Sequence, residues 1–166
     1  YSLQIDGEAY RPVWVSENIE RLLGYTQDEA TDEDWWVSHM YPDDREAILA
    51  RQATLLMEGQ LTHEYRFFHR NGQMVWIHDE LRLVRSTDGR PLEVVGAWLD
   101  VSHHKRAELI RQAHQSVLNL IVANQPLPVV LKDIAQRLET INSHMLVSIL
   151  LLDRQTNRLR HGAAPS

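Results

Sequence analysis

Hydrophobic and polar positions alternate with a period of two through the middle of the chain and recur with a period near 3.6 toward its end. Period two marks strands and period 3.6 marks helices, because of how side chains leave the two backbones. Tyr1–Ile5 and Arg11–Val15 are expected as two short strands joined by a turn at Asp6-Gly7, with Val13 and Val15 on one face. A helix is expected next, with Ser16 as N-cap and Gly24-Tyr25 at its end. Thr26 to Asp34 is polar and acidic and suits a loop or a single helical turn. Tyr41-Pro42-Asp43-Asp44-Arg45 opens another helix: proline is tolerated in a first turn, and aspartates suit the positive end of the helix dipole. Ile48, Leu49, Leu55 and Leu56 would form its buried face, and Gly59 would stop it.

Three strands follow. Leu61–Arg70 and Gln73–Arg85 are joined at Asn71-Gly72, a strong hairpin signal. Thr87-Asp88-Gly89-Arg90-Pro91 then turns the chain into Leu92–Asp100. From Ser102 the period becomes helical, and Ile110, Ala113, Val117, Leu120 and Asn124 fall at a/d heptad spacing. Pro126 and Pro128 break that helix, Val129–Leu138 is helical again, and Met145–Asp153 reads as a strand. Antiparallel strands with helices gathered between the second and third define an α+β class.

Alternation also assigns faces. His63, Tyr65 and Phe67 oppose Thr62, Glu64 and Arg66; Val75, Ile77, Asp79, Leu81 and Leu83 oppose Trp76, His78, Glu80 and Arg82. The charged parity belongs outside, which leaves Asp79 as a carboxylate among apolar neighbours. A buried carboxylate needs partners. It either anchors a ligand or senses protons, or it is satisfied by backbone amides or Tyr65, the more ordinary outcome. The opposite face carries Trp76 and needs a cover.

Composition narrows the chemistry. With 17 Lys and Arg against 23 Asp and Glu the net charge is −6, which disfavours nucleic acid as a partner. The 166 residues include no cysteine, so disulfides, thiol nucleophiles and thiolate metal sites are excluded. The apolar run Met145–Leu152 is far short of the ~20 residues of a membrane span. No secretory signal pattern opens the chain, and its start at Tyr1 suggests a piece of something longer. No nucleophile elbow, zinc signature or phosphate loop is present, so no catalytic residue and no metal ligand is assigned. His103-His104 is a poor chelating pair, since neighbours on a helix point about 100° apart. His39, His63 and His69 read as surface or capping histidines.

The words carried by this order resemble the PAS family over residues 1–108. They are Trp14-Val-Ser-Glu-Asn18 leading to Leu23-Gly24-Tyr25, Tyr41-Pro-Asp-Asp-Arg45, Glu64-Tyr-Arg66, Asn71-Gly72 through Trp76, Val95-Gly96, and Asp100-Val-Ser102 with Lys105-Arg106. The resemblance implies a five-stranded sheet closing over helices around a ligand cavity. In the third meander strand, apolar on both sides, it places Val94, Gly96 and Trp98 inward and Val95, Ala97 and Leu99 outward. Tyr65, Phe67, Ile77, Asp79, Leu81, Val94 and Trp98 are then the expected ligand-binding residues. Asp100 and Ser102 would relay the signal to the helix, and Trp76, Ile110, Val117 and Leu120 would serve a homodimer. A light-sensing flavin adduct requires a cysteine and is excluded. The ligand is expected to be a small organic molecule or absent, with non-covalent flavin, stacked by Trp35, Trp36 and Trp98, a lesser reading and haem, for want of an axial histidine, a lesser one still.

Residues 126–166 resemble the first helix and strand of a GAF domain, through Met145–Asp153 and Arg160-His-Gly-Ala-Ala-Pro165. The expected organisation is a sensory domain at 1–101, an output helix at 102–125 and an incomplete GAF start at 126–166. The resemblance implies a cytoplasmic, non-enzymatic sensory module of a bacterial signalling protein, whose output would be a diguanylate cyclase, a phosphodiesterase or a histidine kinase. The alternatives are a redox or gas sensor and a ligand-free spacer.

Overall fold

The computed structural model describes residues 1–7, 9–141 and 145–164, which divide into units at 1–102 and 103–166. The first unit begins with strands β1 (Ser2–Asp6) and β2 (Ala9–Trp14). Five short helices follow: α1 (Asn18–Leu23), α2 (Gln27–Ala30), α3 (Trp35–His39), α4 (Pro42–Gln52) and α5 (Leu55–Glu58). The meander β3 (Gln60–Phe68), β4 (Met74–Arg85) and β5 (Pro91–Asp100) completes it. All five strands pair antiparallel in the order β2-β1-β5-β4-β3. Because β2 and β3 are opposite edges, the chain between them must cross the sheet, and it carries the five helices with it. Pro12 is accommodated because β2 is an edge strand.

The inward parity fills two core clusters. One gathers Leu23, Trp35, Met40, Ile48, Tyr65, Phe67 and Ile77; the other holds Leu55, Leu61, Leu81 and Val94. A polar clamp ties the helices to the meander. Asp44, in the first turn of α4, takes Arg66 Nε at 3.0 Å, Arg66 Nη2 at 2.6 Å and the Arg66 amide at 2.9 Å. Partial burial raises the Asp44 carboxyl, but these bonds outweigh it and hold the group below its usual range. The guanidinium lies 3.9 Å from the centre of the Tyr41 ring.

Several local expectations are corrected. The first helix starts at Asn18 with Glu17 as N-cap and no side-chain cap, although Ser16 Oγ accepts from the Asn18 amide at 3.3 Å. Val13 is exposed, because β2 ends at Trp14 and only Val15 turns to pack on the core. The helix opened by Pro42 breaks at Gln52, so Gly59 ends the separate α5 and Leu49 faces solvent. The polar stretch after Thr26 holds the single helical turn that is one of its two expected forms, α2, with a capping box between Thr26 and Glu29, but α3 follows unforeseen.

Both meander turns share one build. His69 and Ser86 open them, the amides of Gly72 and Gly89 return to the carbonyls of those residues, and both glycines have positive φ. Each is a three-residue loop in which only glycine takes the left-handed conformation, so Asn71 is not a left-handed turn centre.

The second unit contains α6 (Ser102–Val122, its first residue shared with the first unit), α7 (Leu127–Ile141) and a hairpin of β6 (Ile149–Asp153) with β7 (Arg158–Ala163). Arg137 on α7 donates to Asp133 at 2.6 Å and to Ser116 of α6 at 2.5 Å. Asn124 is not a heptad residue. It lies beyond the helix end at φ 52°, where the amides of Asn124 and Gln125 return to the carbonyls of Ile121 and Leu120. Pro126 and Pro128 open α7 as well as closing what precedes it. The strand expected over Met145–Asp153 begins only at Ile149, and β7 pairs with it within the same chain. Pro165 of the tail motif lies outside the described residues.

Candidate functional site

The candidate site is built around Asp79 on β4, which is 1% exposed. Its neighbours across the sheet are His63 on β3 and Trp98 on β5. Oδ1 accepts the Tyr1 hydroxyl at 2.7 Å, and Oδ2 accepts the Tyr65 hydroxyl at 2.9 Å. His63 Nε2 stands 3.4 Å from Oδ2. The Tyr65 oxygen in turn accepts from Trp36 Nε1 at 2.9 Å, so the network runs from α3 to the centre of the sheet. The ordinary resolution of a buried carboxylate, partners within the protein, is what these hydroxyls provide.

Burial, reinforced by the Asp79 carboxylate, pushes the phenols of Tyr1 and Tyr65 well above their usual range. Both therefore serve as neutral donors across physiological pH. Tyr1 reaches Asp79 only because β5 carries glycine at position 96: a Cβ there would stand 2.2–2.6 Å from the Tyr1 ring.

Beside this network lies a cavity of about 70 Å³. Of the seven expected ligand residues, Asp79, Leu81 and Trp98 form part of its wall. Tyr65, Phe67, Ile77 and Val94 are fully buried in the two core clusters behind it. Tyr1, Trp35 and Trp36 complete the polar and aromatic part of the wall. Pockets for larger organic ligands start near 300 Å³, so this space is small by comparison.

Sequence reasoning missed Tyr1, whose approach to Asp79 depends on tertiary placement alone, and it considered Trp36 only for stacking a flavin, not for its bond to Tyr65. His63 is corrected from surface to buried, at 6% exposed. The signal was available, because alternation groups it with Tyr65 and Phe67. His103 and His104 are exposed.

At the end of β5, Asp100 Oδ1 accepts the Ser102 amide at 2.8 Å, and Ser102 Oγ accepts the Trp76 amide at 2.8 Å. The serine hydroxyl thus ties the start of α6 to β4 rather than capping the helix. Trp76 is half-buried on the outer face, where Val95 and Leu99 are 38% and 62% exposed. On α6, Ile110 is exposed, and Val117 and Leu120 are half-buried. Ile110 and Val117 line an apolar groove against Ile134 and Leu138 of α7. The expected site residues therefore fall in three places: the Asp79 wall, the sheet-to-helix junction and the α6 stripe.

A sheet of this order with its cavity on the helix-covered face defines a sensory fold, and the family comparison agrees. The model of the PAS fold matches residues 12–98, and the chain belongs to the PAS family. Among its relatives is the two-component sensor PprA of Pseudomonas aeruginosa, 36% identical over 107 residues, which are 63% of this chain and 11% of that protein. The methyl sulfide methyltransferase-associated sensor of Methanosarcina acetivorans is 30% identical over 156 residues, 92% of this chain and 16% of that protein. The chain thus spans between about a tenth and a sixth of the length of these curated relatives. Among solved structures, the N-terminal domain of a diguanylate cyclase with PAS/PAC sensor from Marinobacter aquaeolei is 27% identical with TM-score 0.54, over 63% of this chain and 96% of that one. A sensory box histidine kinase/response regulator from Burkholderia thailandensis is 26% identical with TM-score 0.56, over 71% and 87%. The region they share with this chain is a sensory module of signal-transduction proteins. No helix among the described residues is long and apolar enough to cross a membrane.

Proposed function

We propose that this chain is a ligand-responsive input and dimerisation module of a cytoplasmic signalling protein. The observation that carries the reading is the Asp79 network beside a cavity: a polar centre at the middle of a sheet whose end is tied by Ser102 to α6. A ligand that displaces Tyr1 or Trp98 shifts β5 or its neighbour β4, and the Trp76–Ser102 bond passes that shift to the helix. Leu81 closes the wall beside Asp79, while Tyr65, Phe67, Ile77 and Val94 set the rigidity of the sheet behind it.

The downstream activity would be a diguanylate cyclase or a histidine kinase, as the names of the relatives suggest, or a phosphodiesterase. Residues 126–166 are read as the start of a GAF domain, supported by the helix-then-strand order. Dimerisation would use Ile110, Val117 and Leu120 on α6 with Trp76 on the sheet, because two heptads of apolar positions need a packing partner.

Native mass spectrometry of the purified chain tests the ligand reading. A bound small-molecule mass, lost when Ala30 in the cavity wall is replaced by Leu, is expected. An unladen protein whose stability rises with Ala30→Leu would make it a spacer. Sedimentation of the chain and of its Val117→Asp variant tests assembly: a dimer that becomes a monomer is expected, and two monomers would end the dimer reading.

A further inference from the structure

The chemistry of the wall narrows the ligand to one class. Resting on the cavity reading above, we infer that the cavity takes a small organic ammonium ion bearing an oxygen acceptor.

The first observation is charge. Asp79 is buried among donors that are all neutral hydroxyls except for the longer contact with His63. Neutral hydroxyls solvate a carboxylate without cancelling its charge. Its two oxygens offer about four lone-pair directions, so the three contacts leave room for a further donor. Among the described residues, the wall holds no lysine, arginine or histidine. Its other carboxylate, Glu33, is at the exposed rim and already pairs with Arg11 at 3.2 Å. An anion entering this space meets no lysine, arginine or histidine side chain in the wall, His63 standing outside it at 3.4 Å from Asp79 Oδ2 and the Tyr1 α-ammonium donating to the Gly96 carbonyl. A cation meets one buried negative charge in a low-dielectric setting, where the attraction is strong.

The second observation is the aromatic wall. Tyr1, Tyr10, Trp35, Trp36 and Trp98 surround the space, and Tyr1 and Trp98 have ring centres 5.2 Å apart. Aromatic faces present negative potential and attract ammonium groups within about 6 Å. An aromatic wall with a carboxylate at its base is an arrangement for an ammonium group.

The third observation sets the remainder of the ligand. The indole N–H groups of Trp35 and Trp98 are buried; that of Trp35 makes no hydrogen bond among the described residues, and that of Trp98 lies within reach of the Tyr1 hydroxyl without a well-formed bond. Buried donors of this kind need an acceptor. A ligand oxygen two or three bonds from the ammonium nitrogen would reach one of them while the ammonium sits on Asp79. At about 70 Å³ the space admits only a handful of heavy atoms.

Three probes of nearly equal size separate the possibilities: ethanolammonium, neutral ethylene glycol and anionic glycolate. Each is titrated into the 15N-labelled chain, following the indole N–H signals of its five tryptophans, with Trp35 and Trp98 assigned through Trp→Phe variants. Ethanolammonium is expected to shift both signals and to bind at least about tenfold tighter than either analogue, a difference one charge-assisted hydrogen bond supplies. Asp79→Asn is expected to bring the three probes within about threefold of one another; if that variant does not fold, the wild-type ranking alone decides. Equal or tighter binding of ethylene glycol or glycolate overturns the cation assignment and leaves the cavity reading intact. No indole shift from any probe also overturns the assignment, and the cavity reading is then judged separately by the native mass measurement.

Discussion

His78 and Asp79 are adjacent on one strand, and the sheet separates them into opposite chemistries. His78 points outward, 3.1 Å from Glu64 and 3.3 Å from Glu80, with water at hand. Asp79 points inward, essentially sealed, and its partners are two tyrosines and a buried histidine. The outer ionic cluster is adjustable: if one carboxylate leaves, solvent replaces it, so each contact is worth little. The inner one has no substitute partners, so losing any donor leaves a desolvated polar atom. A single residue step along β4 thus turns a charged group from a surface ornament into part of a built site.

The largest consequence of this contrast is expected at alkaline pH. Tyr1 and Tyr65 keep their protons in the folded protein well above the ordinary phenol value, because burial and then Asp79 oppose ionisation. The unfolded chain ionises both near pH 10, so their contribution to stability is complete below that value and is lost as pH rises beyond it. The slope approaches about 2.7 kcal/mol per pH unit for two groups. Urea unfolding at pH 10 and above should show it, and Tyr65→Phe should roughly halve it.

A smaller effect belongs to the junction. Ser102→Ala removes the acceptor of the Trp76 amide and should cost about 1 kcal/mol in urea unfolding. The Asp100 bond to the residue 102 amide survives that change, so Ser102→Thr should restore stability if the hydroxyl is what matters.

The smallest effect lies on the outer face. Hydrogen bonding to Glu64, opposed by slight burial and aided by Glu80, raises the His78 imidazole above its ordinary value. Its stabilisation is complete below about pH 6.5 and fades as pH rises through the elevated folded value. Solvent screening limits it to a few tenths of a kcal/mol. His78→Gln should flatten this shallow slope, and a steep one would show that the cluster is buried in an assembly.

How much of this was legible in the sequence follows the same division. Alternation assigned Tyr65, Ile77 and Leu81 to the inner face and Glu64, His78 and Glu80 to the outer one, because the pleat is strictly two-fold and the charges marked one side. It also grouped His63 with the inner set, where histidine's usual exposure argued otherwise and the pleat won. What it could not supply was contact between elements. Tyr1 meets Asp79 across β5, over Gly96, and Trp36 arrives on a five-residue helix with too few turns to show a period. Asn124 shows the opposite failure: its heptad spacing was real, but Asn before Pro126 also suits a left-handed helix terminus, and that local geometry prevailed. Near residue 150 the strand was legible and its partner was not, since Arg158–Ala163 carries little apolar alternation.

The central claim is that Asp79 and the tyrosine hydroxyls act as one unit beside the cavity, and a double-mutant cycle measures it. Unfolding free energies are compared for the wild type, Asp79→Asn, Tyr65→Phe and the double variant. If the unit exists, each single change costs about 1–3 kcal/mol, and the double costs less than their sum by about 1 kcal/mol or more. Strict additivity of the two costs would contradict it, because Tyr65 and Asp79 would then be neighbours without being partners.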